Sequence, residues 1–313
     1  MAVTAALIID CTSPSYGGIK WLNDLEIESW INFNIEKESY NHNVVYTYCE
    51  VDIPDILIPK LVKTFAGHTR AWPPKGEKLD GIHEWWNPEP DMESIAYGGY
   101  GVTEWPKSIP ELRDATLRLR LRKLVAEWGF EFFDLLEQEE IPTKFETMRL
   151  PPAIYIYYQP ANNLASNFVI IGDGIHKADP LRGQGVLKAA VDAITLGARL
   201  SRCAAPRLPK NFATSFFKSQ VKRTGRLWAT RKSMDYAYGT TIPSEREDLP
   251  KGELGRNFGR YVRRLAVTDS SVVKVIFDIF AHVDSPMFLF APRILFAIFG
   301  LWAKELLGYD PGI

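Results

Sequence analysis

The sequence predicts a mixed α/β (α+β) fold, with short strands in its first half and a helical region at its end. Three observations carry this. β-Branched and aromatic runs recur at intervals up to Ile171. Residues 110–140 and 185–200 carry apolar side chains at helical spacing among good helix formers. Apolar residues make up 46% and charged residues 24% of the 313, so the chain can build a core as one large domain or two smaller ones.

The elements follow in order. Ala5 to Ile9 form an apolar run that stops at Asp10, which predicts a buried strand over 5–10; the N-terminus lacks the basic segment and length of a signal peptide. Residues 13–18 predict a turn, and 21–25 the beginning of a short helix or loop. Residues 43–51 (NVVYTYCEV) predict a strand. Residues 71–90 hold Pro73, Pro74, Pro88 and Pro90 with Trp72, Trp85 and Trp86, a composition that predicts irregular structure. Residues 94–102 (SIAYGGYGV) predict a strand interrupted by glycine. Leu112, Leu117, Leu119, Leu121 and Leu124, then Phe130 to Leu136, predict amphipathic helix over 110–140. Strands follow at 153–158 (AIYIYY) and at 167–171 (NFVII), the latter ending at Gly172. A helix over 185–200 places Leu187, Val191, Ile194 and Leu200 on one side. No repeat of solenoid period is visible. Residues 287–302 are strongly apolar but contain Pro292 and Arg293, and sixteen residues are too few for a spanning helix. They predict a helix packed on the body of the protein, or one resting on a membrane surface or covering a greasy pocket.

Charge and cysteine usage narrow the function. Lys plus Arg number 37 and Asp plus Glu 38, a net charge of −1, which argues against nucleic acid as a partner. Cys11, Cys49 and Cys203 form no CxxC, so neither a disulfide scaffold nor a structural zinc site is expected, and the setting reads as cytoplasmic, with membrane association left open. The histidines (42, 68, 83, 176 and 282) are too scattered for a metal cluster, and His83-Glu84 is followed by Trp85-Trp86, not by the spacing of HExxH. From Arg199 to Lys232 there are ten Lys or Arg and no acidic residue. That is either a solvated helix face or a surface for NADPH phosphates or anionic lipid. Tyr155, Tyr157 and Tyr158 fit core packing better than a substrate platform. His176 reads as a solvated or hydrogen-bonded loop residue, with catalysis the sharper alternative.

The most informative stretch is FVIIGDGIHKADPLRGQGVLKAAVDAITLGARL, residues 168–200. An apolar strand ends in Gly172-Asp173-Gly174; a loop with Pro180 leads to Gly183-Gln184-Gly185, which opens a helix. Glycines let backbone approach a flat ligand, and the first turn of a helix offers unpaired N–H groups and partial positive charge. Asp173 is placed to accept hydrogen bonds from sugar-like hydroxyls. A tight structural turn is the competing reading.

The pattern Gly172-Asp173, Pro180, Gly183-Gln184-Gly185 and Asp192 resembles the second FAD-binding motif of the aromatic-hydroxylase-type flavin monooxygenases. Leu7 to Thr12 with Trp21-Leu22 resembles that family's "DATG…WL" segment. Ser94 to Val102 resembles a substrate-domain strand. Leu227-Trp228-Ala229-Thr230 with Asp235, and Ser285-Pro286 with Ala291-Pro292-Arg293, resemble the end of a fungal and bacterial subgroup. The resemblance implies that Gly172 and Asp173 belong to the cofactor site, Asp173 binding FAD hydroxyls. It implies that Pro180, Gly183, Gln184 and Gly185 line the flavin ring, with the helix start facing its N1–C2=O edge. It implies NAD(P)H as reductant and a hydrophobic small molecule, of the secondary-metabolite kind, as the substrate hydroxylated or epoxidised. It assigns no catalytic side chain.

The sequence departs from the family in one large respect. Its G-x-G pairs (99/101, 172/174, 183/185) are followed at the third position beyond by Glu104, Lys177 and Lys188, so none completes the dinucleotide fingerprint G-x-G-x-x-G. Ser13 stands where the family has glycine, and Asp179 and Arg182 replace neutral residues. The expectation is therefore the C-terminal two-thirds of such an enzyme, with an incomplete FAD-binding Rossmann-like layer. Residues 1–30 and 151–205 would be the remnant of that layer, 31–150 a substrate-type β-sheet domain with a helical insertion, and 206–313 the helical C-terminal region. The alternative is a non-redox remnant that binds a small apolar ligand or a partner without FAD.

Overall fold

The computed structural model describes residues 5–12, 15–29, 32–52, 56, 70–72, 80–86, 92–101, 105–118, 127–138, 140–178, 180, 184–203, 207–281 and 283–309. The first elements are β1 (Ile8–Asp10), α1 (Gly17–Ser29), β2 (Glu36–Tyr40), β3 (Val44–Asp52), β4 (Arg70–Trp72), β5 (Asp80–Trp86) and β6 (Met92–Tyr100). Then come α2 (Ile109–Arg118), α3 (Glu127–Gln138), β7 (Thr143–Arg149), β8 (Ala153–Tyr157), β9 (Phe168–Ile170) and β10 (His176–Lys177). The chain continues as α4 (Gly185–Leu200), α5 (Phe212–Asp235), α6 (Glu253–Thr268), α7 (Ser270–Phe280) and α8 (Pro292–Leu306). Short 3-10 turns occupy Gly172–Gly174 and Pro286–Phe290. The mixed α/β composition agrees with the fold class expected.

Two compact units divide the chain. One comprises Met1–Ser39, Ala153–Ala237 and Ser244–Ile313; the other comprises Tyr40–Pro152 and Tyr238–Pro243. The first unit holds the parallel pair β1–β9 and the sheet ordered β10-β8-β2. In the parallel pair Ile8 faces Phe168, Ile9 faces Val169 and Asp10 faces Ile170. β9 is buried throughout, as a continuous apolar run in a parallel pair should be. Phe212, Phe216 and Phe217 of α5 are buried in this unit's core, and Phe217 stacks on Tyr158 at 5.1 Å. A second cluster holds the last helices together: Val262 and Leu265 of α6, Val272 of α7 and Ile294 of α8. Asp269 caps α7 by accepting from the Ser271 N–H at 2.9 Å, and Pro292 opens α8.

The second unit is an antiparallel sheet ordered β4-β5-β6-β3-β7, with α2 and α3. Val45 of β3 pairs with Gly99 of β6 on one side and Arg149 of β7 on the other. α2 and α3 contribute buried Leu112, Ala115, Phe133 and Leu136, and Arg113 pairs with Asp134 and Glu137. The returning segment Tyr238–Pro243 closes the unit: Tyr238 stacks on Tyr100 at 3.6 Å, and Ile242 bridges Asn41. Gly101 sits at φ +68°, where a Cβ would lie 2.4 Å from Thr240 Cγ2, so glycine is required there on both grounds.

Several expectations change. Residues 71–90 contain strand: β4 and β5 pair antiparallel, and β5 pairs with β6. Pro73, Pro74, Pro88 and Pro90 lie outside the described residues. The expected helix over 110–140 is two helices, and 119–126 lies outside the described residues. α1 starts at Gly17, inside the expected turn, because Thr12 Oγ1 and Asp10 Oδ2 accept its first N–H groups. Strands β2 and β7 were not expected: EKESY and TKFETMR are too polar to read as strands, and pairing decides them. Among the described residues the strands form three separate sheets.

Candidate functional site

The parallel register of β1 and β9 ends both strands at the same level, so the loops that follow leave the sheet side by side. α1 is the next element after β1, and α4 follows β9 after the Gly172–Gly174 turn and β10. The carboxyl ends of parallel strands are where α/β folds build ligand sites.

The first loop is fixed by Asp10, which is buried. Its Oδ1 accepts from the Thr12 N–H and its Oδ2 from the Gly18 N–H, both at 2.8 Å. A Cβ on Gly18 would stand 2.3 Å from that Oδ2, so the close approach depends on glycine. Thr12 Oγ1 accepts from Gly17 N–H at 2.8 Å. Tyr16, at φ +53°, is pushed up to about 12 by burial and then by the charge of Asp173. Its hydroxyl is buried and meets no hydrogen-bond partner among the described residues.

The second loop is the Gly172–Gly174 turn, with Gly172 at φ +65°. Two side chains of α4 hold it. Gly172 N–H donates to Asp192 Oδ2 at 3.0 Å, and Lys188 Nζ donates to Gly172 O and to Asp192 Oδ2, the latter at 2.9 Å. Thr224 Oγ1 of α5 reaches Asp192 Oδ1 at 3.4 Å. Lys188 and Asp192 are 2% and 0% exposed, a fully buried ion pair. Burial pushes the Lys188 ammonium down further than Asp192 raises it. The buried side of α4 is therefore Lys188, Asp192, Thr195 and Leu196. The expected apolar side is not the buried one: Ile194 is 63% exposed, and Leu187, Val191 and Leu200 are only half-buried. An ion pair one turn apart, each member also serving the Gly172 peptide, outweighs the apolar stripe.

Of the expected cofactor residues, Gly172 is buried, Asp173 is half-buried and Pro180 is exposed; Gly183 lies outside the described residues. Gln184 is buried and Gly185 exposed. The start of α4 is open. Gln184 makes no side-chain cap bond, no acidic residue stands in the first turn, and among the described residues a Cβ on Gly185 would meet nothing within 4 Å. Among the described residues no side chain caps its first N–H groups.

His176 is not a solvated loop residue. It lies on β10, buried against Tyr155 (5.3 Å) and Trp228 (6.0 Å), because its strand pairs with β8. Burial, then the charges of Lys188 and Arg231, push its pKa well below the usual histidine value, and Nδ1 meets no partner among the described residues. Tyr155 and Tyr158 are buried, whereas Tyr157 donates to Glu38. Sequence reasoning missed Glu38, although it gathers four donors: Tyr157 Oη, Trp228 Nε1 at 3.0 Å, Ser244 Oγ at 3.0 Å and Lys232 Nζ. Burial alone would raise its pKa; these donors lower it overall. No sequence signal marks Glu38, since its partners come from three distant segments.

No protein-family model matches the chain, and no curated protein does. Among solved structures the chain is similar to the Diels-Alderase PyrE3 of pyrroindomycin biosynthesis (TM-score 0.46, 14% identity, 80% of this chain and 46% of that one). It is also similar to a triple mutant of the flavin-dependent brominase Bmp2 (0.42, 13%, 75% and 52%) and to the anhydrotetracycline hydroxylase OxyS of Streptomyces rimosus (0.42, 11%, 80% and 43%). The chain spans about half the length of these proteins.

Proposed function

We propose that the chain is a flavoprotein oxidoreductase of the monooxygenase kind, with FAD as cofactor, NAD(P)H as reductant and a hydrophobic small molecule as substrate. One observation carries the reading: the parallel β1–β9 register sets the Asp10 loop and the Gly172–Gly174 turn side by side, next to an open, uncapped helix start. The residues present fit the ring end of FAD there. Gly185 leaves space that a side chain would fill, and the α4 N–H groups suit the electron-rich edge of a flavin. Asp173 accepts from the cofactor's hydroxyls. Tyr16 stays protonated near neutral pH and offers a donor that no described residue uses. FAD, when bound, supplies the oxygen chemistry, and the chain positions it and excludes water.

A second reading, a ligand-binding protein of this architecture without FAD, is favoured by the Gly172 peptide, whose N–H and C=O are both taken by Asp192 and Lys188. FAD titration separates the two. Under the first reading the purified protein is yellow or becomes so with FAD. Asp173→Ala then weakens FAD binding roughly tenfold to a hundredfold, the loss of one or two hydrogen bonds to a charged group. Gly185→Leu leaves thermal stability unchanged yet blocks FAD. A protein that FAD cannot reconstitute supports the second reading.

A further inference from the structure

A groove of about 640 Å³ is lined by β8 and α5. Tyr155 and Tyr157 of β8 and Gly225 and Trp228 of α5 line it, with Lys222 and Arg226; among the described residues no acidic side chain lines it, although Glu38 accepts from Tyr157 and Trp228. Lys232 also reaches it but is committed to Glu38 and Glu247. Lys222 and Arg226, one turn apart, are exposed.

Two features of the groove have no packing explanation. The Tyr155 hydroxyl is buried and meets no hydrogen-bond partner among the described residues, a costly state for a polar group. Burial, then the charges of Asp192 and Glu38, push its pKa up to about 12, so it keeps a proton to donate. Gly225 stands in the middle of α5, where glycine is the least favourable residue but proline. A Cβ there would meet only Val221 Cγ1 at 3.3 Å and the Tyr155 hydroxyl at 3.7 Å, so a small shift would admit alanine. What glycine preserves is the approach to that hydroxyl.

We propose that this groove binds a small aromatic anion, its ring against Trp228 and Tyr157, an acceptor atom on the Tyr155 hydroxyl, and its charge between Lys222 and Arg226. This binding does not depend on the flavin reading. Salicylate and phenyl phosphate are the probes, with benzyl alcohol and inorganic phosphate as controls, followed by Trp fluorescence and calorimetry on the full chain. Both aryl anions should bind, and the controls at least tenfold more weakly. Lys222→Ala/Arg226→Ala should weaken binding roughly 5- to 30-fold. Gly225→Leu should abolish it, and Tyr155→Phe should weaken it with the fold intact by circular dichroism. Absence of aryl-anion binding, equal binding of benzyl alcohol, or indifference to all three variants would overturn the proposal.

Discussion

At the residue scale, the Lys188–Asp192 pair decides how the Gly172 turn is held. Removing one partner leaves a buried charge uncompensated. Lys188→Met or Asp192→Asn should each cost about 3–5 kcal/mol in urea unfolding. The double variant should be less destabilised than the sum of the singles by about 1–3 kcal/mol; simple additivity would show the two charges to be independent. The i,i+4 spacing of this pair was visible in the sequence, and Asp192 was part of the motif. That Lys188 is buried was not visible, because periodicity weighs apolar side chains and gives an internal ion pair no credit. His176 illustrates the same limit. Its folded pKa is depressed, so on acidification the unfolded chain takes up the proton first, near pH 6.5. Stability is then full above about pH 6.5 and falls below it, by at most about 1.4 kcal/mol per pH unit. The difference in slope between wild type and His176→Phe, measured between about pH 8 and pH 5, should equal this contribution. Identical slopes would place an unburied histidine at this position.

At the scale of elements, the strands that declared themselves in the sequence are those with uninterrupted apolar runs, such as β9. β2 and β7 stayed hidden because polar side chains on a half-exposed strand read like loop, and the partner strand supplies what composition does not. β4 and β5 stayed hidden for the opposite reason: prolines next to a strand read like prolines in it. The end of β6 makes a quantitative case. Gly101→Ala places a side chain in the left-handed region and against Thr240, and should cost about 1–2 kcal/mol from the backbone conformation alone. Adding Thr240→Gly removes the crowding Cγ2, Cβ and Oγ1 together and should recover only the excess over that figure. Full recovery would mean that crowding, not the backbone angle, demands glycine. The glycine-opened α4 was legible from its Gly-Gln-Gly start, and so was the turn before it. Which side of α4 is buried was not, since that depends on α5 and the turn lying against it.

At the scale of the molecule, the free thiols report on each unit separately. Cys49 is buried on β3 of the sheet unit, and Cys11 is exposed beside Asp10 in the other. A thiol reagent should modify Cys11 in the native protein, slowed by burial and the neighbouring carboxylate, which raise its pKa. Cys49 should react only in denaturant, with a midpoint that reads the opening of the Tyr40–Pro152 unit. Rapid native labelling of Cys49 would contradict its place in that sheet. The parallel pair that frames the candidate site also shapes how the chain must be made. Ile8 finds its partner in Phe168, 160 positions later. On a ribosome adding about 5–20 residues per second, the first strand waits on the order of ten to thirty seconds with its apolar edge unclaimed. The yield of a chain of this topology in a cell should therefore follow the supply of holding chaperones more closely than the stability of the finished protein would suggest.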